Sequence, residues 1–239
     1  MAEQTSEHKT HKNDFVEIKF TGYANNEIFD SNIDEDIIKI NPKAKADKLI
    51  VVIGQGMVVK GFDKELENKY INKNYEVNVK PAEAFGQRDR TLMKTIPLGA
   101  FTQQQVSPRP GMVLTLDNHV VKIIAVSGAR VVVDFNNPLA GKELKYNFKI
   151  IRKIEDEKEK IESLLKFFFG FIPEFEVNEK IKIKAPKNVE PLIKLYDDKF
   201  KELLGKSLEF EEKQEEKADK NKQEHAHEQG NEHHREHNH

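Results

Sequence analysis

Ile53-Gly-Gln-Gly-Met-Val-Val-Lys-Gly-Phe62 is the stretch that decides how this chain folds. Before it, Leu49-Ile-Val-Val reads with Ile53 as a short buried strand. Gly54-Gln-Gly56 breaks that strand, and Val59, Phe62 and Leu66 then recur at helical spacing with one apolar stripe. A short helix with a single apolar face has to be covered, and a sheet next to it is the simplest cover.

The flanks supply that sheet. Val16, Ile18 and Phe20 alternate with Glu17, Lys19 and Thr21 in a strand that reaches Tyr23. Asn25-Asn26 tolerates the positive φ of a tight hairpin, and Glu27-Ile-Phe-Asp30 returns as partner. A polar loop is expected through Asn41-Pro42. Tyr75, Val77 and Val79 alternate until Pro81 ends the strand, and Leu144, Tyr146, Phe148 and Ile150 form another. Between these lies a separate run, Leu92 to Asn137, with strands expected at Met112–Leu116, Val120–Val126 and Arg130–Phe135. Its turns are Pro108-Arg-Pro-Gly111 and Ser127-Gly128. After Glu157, Ile161, Leu164, Leu165 and Phe168 make a helical stripe, and Phe175, Val177, Ile181 and Ile183 mark a strand. Asn188 caps a second helix that carries Leu192, Leu195, Tyr196, Phe200 and Leu203 and ends at Gly205, before a short strand at Leu208 and Phe210. The fold class is α+β.

Composition bounds the function. The 239 residues are 37% hydrophobic and 33% charged, with 39 Lys+Arg, 41 Asp+Glu, no Cys and no Trp. A net charge of −2 argues against a dedicated nucleic-acid binder, which gains affinity from a basic excess. Without Cys there is no disulfide framework and no thiolate nucleophile, and the expected localisation is cytoplasmic. The N-terminus, Met1-Ala-Glu-Gln-Thr-Ser-Glu-His-Lys-Thr10, is polar, so no signal peptide is expected. Leu164–Ile172, the most apolar run, is far shorter than the roughly 20 residues that cross a bilayer, so no membrane association is expected.

The charges are segregated. Residues 213–239 hold five basic and seven acidic residues and six of the nine His, which leaves 34 of each sign in the body. All 15 Phe precede this tail, which cannot bury a core. Its His225, His227, His233, His234, His237 and His239 set imidazoles densely enough for Ni²⁺ or Zn²⁺, the alternative being a merely solvated tail.

Phosphate-loop, dinucleotide, zinc-protease and nucleophile-elbow patterns are all missing. His119 stands alone between residues 12 and 224 and reads as a surface residue. Asp30 is more informative, because an acid directly after two apolar strand residues has to be paired or exposed. It is expected to accept a hydrogen bond from Tyr23 or another nearby donor.

Four ordered blocks resemble the FKBP-type peptidyl-prolyl isomerase domain: Phe20-Thr-Gly-Tyr23 with Ile28-Phe-Asp30, Ile53 to Phe62, Ala84-Phe-Gly86, and Leu144-Lys-Tyr-Asn-Phe-Lys149. Val133-Asp-Phe-Asn-Asn-Pro-Leu-Ala-Gly-Lys-Glu-Leu144 is similar to the SlyD-like branch, whose members carry a chaperone domain inserted in the flap. The module after residue 157 resembles that of the long archaeal members.

The resemblance implies a half-wrapped antiparallel sheet around a short helix, with a polar leader at 1–12 and the isomerase domain at 13–88 and 138–156. It further implies a small inserted β domain at 89–137, a C-terminal α+β domain at 157–212 and a His-rich tail at 213–239. The catalytic groove would be formed by Tyr23, Phe29, Asp30, Val59, Phe85 and Tyr146. Leu49, Val58 and Phe62, with Met93, Phe101 and Met112 of the insert, would bind substrate. Many members have Tyr where Phe85 stands, so the carbonyl contact would fall to the Val59 N–H; Asn136-Asn137-Pro138 stands where Asn-His-Pro is common. The implied activity is rotation of X-Pro bonds in unfolded or partly folded polypeptides, with no required cofactor and chain holding by the insert. A homodimer through the C-terminal domain is compatible with the family. The alternative is a client-binding chaperone or metal-binding protein with weak isomerase activity.

Overall fold

Strand β1 (Phe15–Ala24) is the axis of the first sheet, because its alternate residues Ile18 and Phe20 are buried while Glu17 and Lys19 stay partly solvated. Asn25 and Asn26, at φ of 53° and 64°, turn the chain into β2 (Glu27–Ser31). Strand β3 (Leu49–Val52) pairs with the first half of β1, and β9 (Leu144–Lys153) runs antiparallel along all of it. Strand β4 (Asn74–Val79) closes the order β2-β1-β9-β4, every pair antiparallel. Helix α2 (Lys60–Glu65) lies on the apolar face, with Phe62 and Leu66 fully buried among Ile18, Ile53, Leu144 and Ile150. The fold is α+β, in a computed structural model that describes residues 9–213.

The expected polar loop after β2 holds a helix, α1 (Asp34–Ile40). It buries no residue, so no apolar stripe announced it; Asp34, Glu35 and Asp36 in its first turn complement the helix dipole. Thr21 Oγ1 donates to Asp36 Oδ2 at 2.6 Å and ties this helix to β1. The buried Asn32 side chain continues the sheet edge, taking the Phe20 N–H at 2.7 Å and donating to the Ile18 carbonyl at 2.8 Å.

The insert has its own sheet, in the order β5-β8-β7-β6, from β5 (Met93–Pro97), β6 (Val113–Leu116), β7 (His119–Ser127) and β8 (Arg130–Asp134). It is not purely β: the short helix α3 (Leu98–Gln103) packs Phe101 onto Val121, Ile123, Val131 and Val133. His119 is exposed at the start of β7, just after the Asp117-Asn118 turn.

The chain divides into two compact units between Phe167 and Phe168, eleven residues beyond the expected boundary. Helix α4 (Glu157–Phe169) begins in the first unit, where Glu159 pairs with Arg152 and Lys48. These two cations hold the Glu159 carboxyl down at about 2. In the second unit, the single strand expected over 175–183 is a hairpin, β10 (Glu174–Val177) and β11 (Ile181–Ala185), and β12 (Leu208–Glu212) joins β11 in parallel. Helix α5 (Glu190–Leu204) supplies the crossover, and Gly205 ends it in the left-handed region at φ 72°. Asn188 does not cap it; the residue before the helix is Val189, with Pro191 in the first turn. Among the described residues no helix is long and apolar enough to cross a membrane.

Gly61 is what lets α2 sit so close to β4. A Cβ there would lie 2.4 Å from Val79 Cγ1 and 3.1 Å from Glu83 Cβ. Gly61→Ala is expected to destabilise the isomerase domain by about 1–3 kcal/mol, read as a lower urea midpoint at unchanged slope.

Candidate active site

Four aromatic rings floor a groove between α2 and the sheet. Phe62 stacks on Tyr146 with centroids 4.5 Å apart and ring planes 10° from parallel. Phe20 lies 5.9 Å from Phe62 and 6.1 Å from Tyr146, and Phe148 meets Phe62 edge-on at 5.1 Å. All four are buried, so the floor is filled by the protein itself. Phe29, Leu49, Met57, Val58 and Val59 pack on this cluster while remaining partly exposed. They form an apolar rim that can take a small non-polar group out of water.

A glycine turn shapes one wall. Gly54 and Gly56 adopt φ of 80° and 69°. Their N–H groups donate to the two oxygens of Asp63 at 2.9 and 2.8 Å. Asp63 is 6% exposed, and this pair of bonds pins the loop that carries Met57, Val58 and Val59 onto the helix that carries Phe62. Val59 stands immediately before the first turn of α2, where N–H groups have no partner within the helix.

The opposite wall carries a second carboxylate, Asp30. Pairing of β1 with β2 slips between Gly22 and Tyr23, so Gly22 faces Asp30, Tyr23 faces Ile28, and Phe29 is the extra residue of a bulge. That slip lets neighbouring residues serve one site. The Phe29 ring meets Tyr146 edge-on at 5.8 Å, and the Asp30 carboxylate is close enough to Tyr146 for its charge to act on the phenol. Gly22 makes room, since a Cβ there would come within 2.7 Å of Phe29 Cζ. Burial, and secondly the Asp30 charge, push the Tyr146 phenol well above its usual range. Desolvation raises Asp30 above the ordinary carboxylate value, partly opposed by the Ser31 N–H that it accepts.

One expectation for the groove is corrected. Tyr23 faces away from it: on β1 it follows Gly22, which pairs with Tyr146, so its own side chain lies on the other face beside Lys145, whose Nζ is 5.6 Å from its ring centre. There it helps line a cavity of about 800 Å³ with Lys19, Thr21, Asp36 and Glu76, apart from the aromatic floor. The residue on the groove side is Phe20, and the strand period that buries Val16 and Ile18 points to it. Of the donors expected for Asp30, Tyr23 or another nearby, the Ser31 N–H is the one that it accepts. Asp63 was also missed, and its signal is an acid one helical turn into α2, facing a loop with two glycine donors.

The remaining expected residues sit as follows. Phe29, Asp30, Tyr146, Leu49, Val58, Val59 and Phe62 come together in the groove. Phe85 is exposed in the turn after Pro81–Glu83, beside Ala84, which packs on the groove's core. In the insert, Met93 and Met112 are exposed, but Phe101 is only 2% exposed and is a core residue, which removes it from any outward surface. Val113, Val120 and Ile124 are exposed instead; alternation on β6 and β7 turns them away from the insert's core. The six tail His lie outside the described residues. Among the described residues no group of three His, Cys, Asp or Glu could hold a metal ion.

Comparison with known proteins agrees with this geometry. The model of the FKBP-type peptidyl-prolyl cis-trans isomerase family matches residues 6–101, and that of the FKBP26 IF domain matches residues 94–139. The short-type peptidyl-prolyl cis-trans isomerase of Methanocaldococcus jannaschii is 29% identical over 143 residues, 58% of this chain and 90% of that protein. The SlyD isomerase of Aeromonas hydrophila is 33% identical over 104 residues, 43% of this chain and 49% of the relative. That of Escherichia coli K12 is 28% identical over 130 residues, covering 53% and 66%. The chain thus spans about half to nine-tenths of these relatives. It belongs to the FKBP-type peptidyl-prolyl cis-trans isomerases. Within them it is SlyD-like.

Because the folded state raises the Asp30 pKa, the group contributes most to stability below the ordinary carboxylate range, and that contribution is lost as pH rises through the raised value. Asp30→Asn is therefore expected to unfold at a higher temperature than the parent at pH 7, with the gap closing toward pH 3. Thermal melts across that range measure it.

Proposed function

We propose that the groove floored by Phe62 and Tyr146 is where this isomerase turns X-Pro bonds, with Asp30 and the Val59 N–H directing the substrate. The observation that carries the assignment is the buried aromatic floor with the partly desolvated Asp30 carboxylate at its edge. An X-Pro amide resists rotation by about 18–20 kcal/mol because its C–N bond has double-bond character. Twisting removes that resonance and makes the amide less polar, so a water-poor apolar site favours the twisted state over the planar one. The rate gain is differential binding, and no bond is made or broken. The apolar rim would hold the pyrrolidine ring, the Val59 N–H would receive a carbonyl beside the proline, and Asp30 would orient the amide.

The insert adds the capacity to hold clients. Its exposed Met93, Met112, Val113, Val120 and Ile124 form apolar surface of the kind that binds unfolded chains, and flexible Met side chains adapt to varied sequences. Holding and turnover then act together, because a client bound by the insert keeps its prolines near the groove. The FKBP26 IF match supports reading residues 94–139 as a separate inserted domain, and the α+β unit after Phe167 suits a long form of the family. In the C-terminal unit, exposed Phe171, Ile172 and Leu195 support self-association as a homodimer. The reading places the protein in the cytoplasm, with unfolded or partly folded proline-containing polypeptides as partners, no required cofactor, and the His-rich tail as a Ni²⁺ or Zn²⁺ binder.

A protease-free assay on a short proline peptide tests the groove. Asp30→Ala should lower kcat/KM about ten-fold, equivalent to about 1.4 kcal/mol of transition-state stabilisation; unchanged turnover would remove Asp30 from the site. Replacing residues 89–137 with a short turn should leave peptide turnover nearly intact and slow the proline-limited refolding of a protein client; equal losses in both would refute a separate holding surface. Nickel calorimetry should show binding by the full chain that disappears when the chain stops at Glu212.

A further inference from the structure

Two legs join the insert to the isomerase domain, Gly86 to Leu92 going out and Asp134 to Gly141 coming back. Halfway along, the Asn136 side chain does what a paired peptide does in a sheet. Its Oδ1 accepts the Asp89 N–H at 2.8 Å and its Nδ2 donates to the Asp89 carbonyl at 2.9 Å, closing a ring on one residue of the opposite leg. Nδ2 also donates at 2.6 Å to Asp134 Oδ1, which takes the Asn136 N–H at 2.9 Å. The second Asp134 oxygen forms an ion pair with Arg88 on the outgoing leg. Asp134 and Asn136 are 4% and 7% exposed, and buried polar groups are tolerated because they are paired in this way.

The clasp has structure on both sides. Toward the insert, the Phe135 N–H bonds the Leu92 carbonyl at 3.0 Å, and Asp134 is already in register with Met93, the first residue of the insert's sheet. Toward the groove, the Gly141 N–H bonds the Gly86 carbonyl at 2.8 Å. Gly141, at φ 76°, leaves room for the Arg88 side chain, which a Cβ would meet at 3.1 Å. Ala84 and Leu139, a few residues along each leg, pack on the groove's core. The chain therefore passes from groove wall to insert sheet with the two legs linked at three successive points, Gly86–Gly141, Asp89–Asn136 and Leu92–Phe135.

We propose that Asn136, with Asp134 and Arg88, is a positioning residue that fixes the direction of the insert relative to the groove, so that a chain held by the insert meets the groove at high effective concentration. The inference rests on the holding role given to the insert above. The side chain is specific: an aspartate would lack the donor and would bring a second charge against Asp134, and a glutamine is one carbon too long for the same ring.

With no Cys in the sequence, Glu67→Cys and Gln103→Cys give two exposed labelling positions, one in each domain. Pulsed electron–electron resonance should show a narrow distance distribution in the full-length parent and a broad one in Asn136→Ala. Asn136→Ala should also lose on the order of ten-fold in acceleration of a proline-limited refolding reaction, while short-peptide turnover is unchanged. Arg88→Gln removes only the ion pair and should shift both readouts in the same direction by less; it carries the test where Asn136→Ala fails to fold. A distribution as narrow in both variants as in the parent, or refolding as fast, overturns the proposal. Binding of a permanently unfolded, proline-free chain separates the two ideas: no binding by the parent refutes the holding role itself, whereas equal binding with equal refolding by parent and variant refutes only the positioning.

Discussion

The stack of Phe62 on Tyr146 is the contact on which the isomerase domain depends. A helix of six residues has no stability of its own in water, so α2 exists because its one apolar stripe is docked. Phe62 is the centre of that stripe, and Tyr146, its partner, lies on the strand that pairs with both β1 and β4. Gly61 permits the approach and Asp63 ties the preceding loop to the same helix. One aromatic contact thus fixes the helix, the loop before it and the floor below it. The groove is shallow for the same reason, since the protein's own rings fill its base and leave only a rim of half-buried side chains for a ligand.

What the sequence reveals follows from what periodicity can encode. Strands with one buried face, such as β1 and β9, and the stripe on α2 are legible because burial writes a period of two or 3.6 into the chain. Helix α1 is not legible, because it buries nothing; helix α3 is hidden because six residues with one buried Phe are too few to show a period. The residues of β10 and β11 blur into one strand when the turn between them is not recognised. Ordered motifs point to much of the groove, yet Tyr23 does not belong to it, and strict alternation selects Phe20. The bulge that brings Phe29 and Asp30 to the same ring has no signature in composition, as it arises from a slip in pairing between two strands.

Asp30 is a position where the fold gives up stability. Its carboxyl is partly desolvated, it lies near a phenol that burial already keeps protonated, and the Ser31 N–H compensates only in part. A sequence under selection for stability alone would place a neutral side chain there. A charge kept at the edge of the aromatic groove suits the substrate-directing role proposed for Asp30, because partial desolvation makes it more effective on a nearby amide dipole than it would be in water.

The rest of the molecule fits that use. A body with 34 charges of each sign has no net charge by which to select clients, so in the holding role proposed above recognition would fall to apolar surface and to geometry. Apolar holding is permissive about sequence, whereas rotation about one bond demands an exact placement of a proline. A permissive surface and a demanding site cooperate only if the distance between them is controlled. A flexible two-stranded neck would spread a bound chain over many positions and dilute its prolines. A neck in which the Asn136 amide serves as a ladder rung, with Asp134 and Arg88 bracing it, removes that freedom using side-chain bonds where the two legs no longer form a sheet.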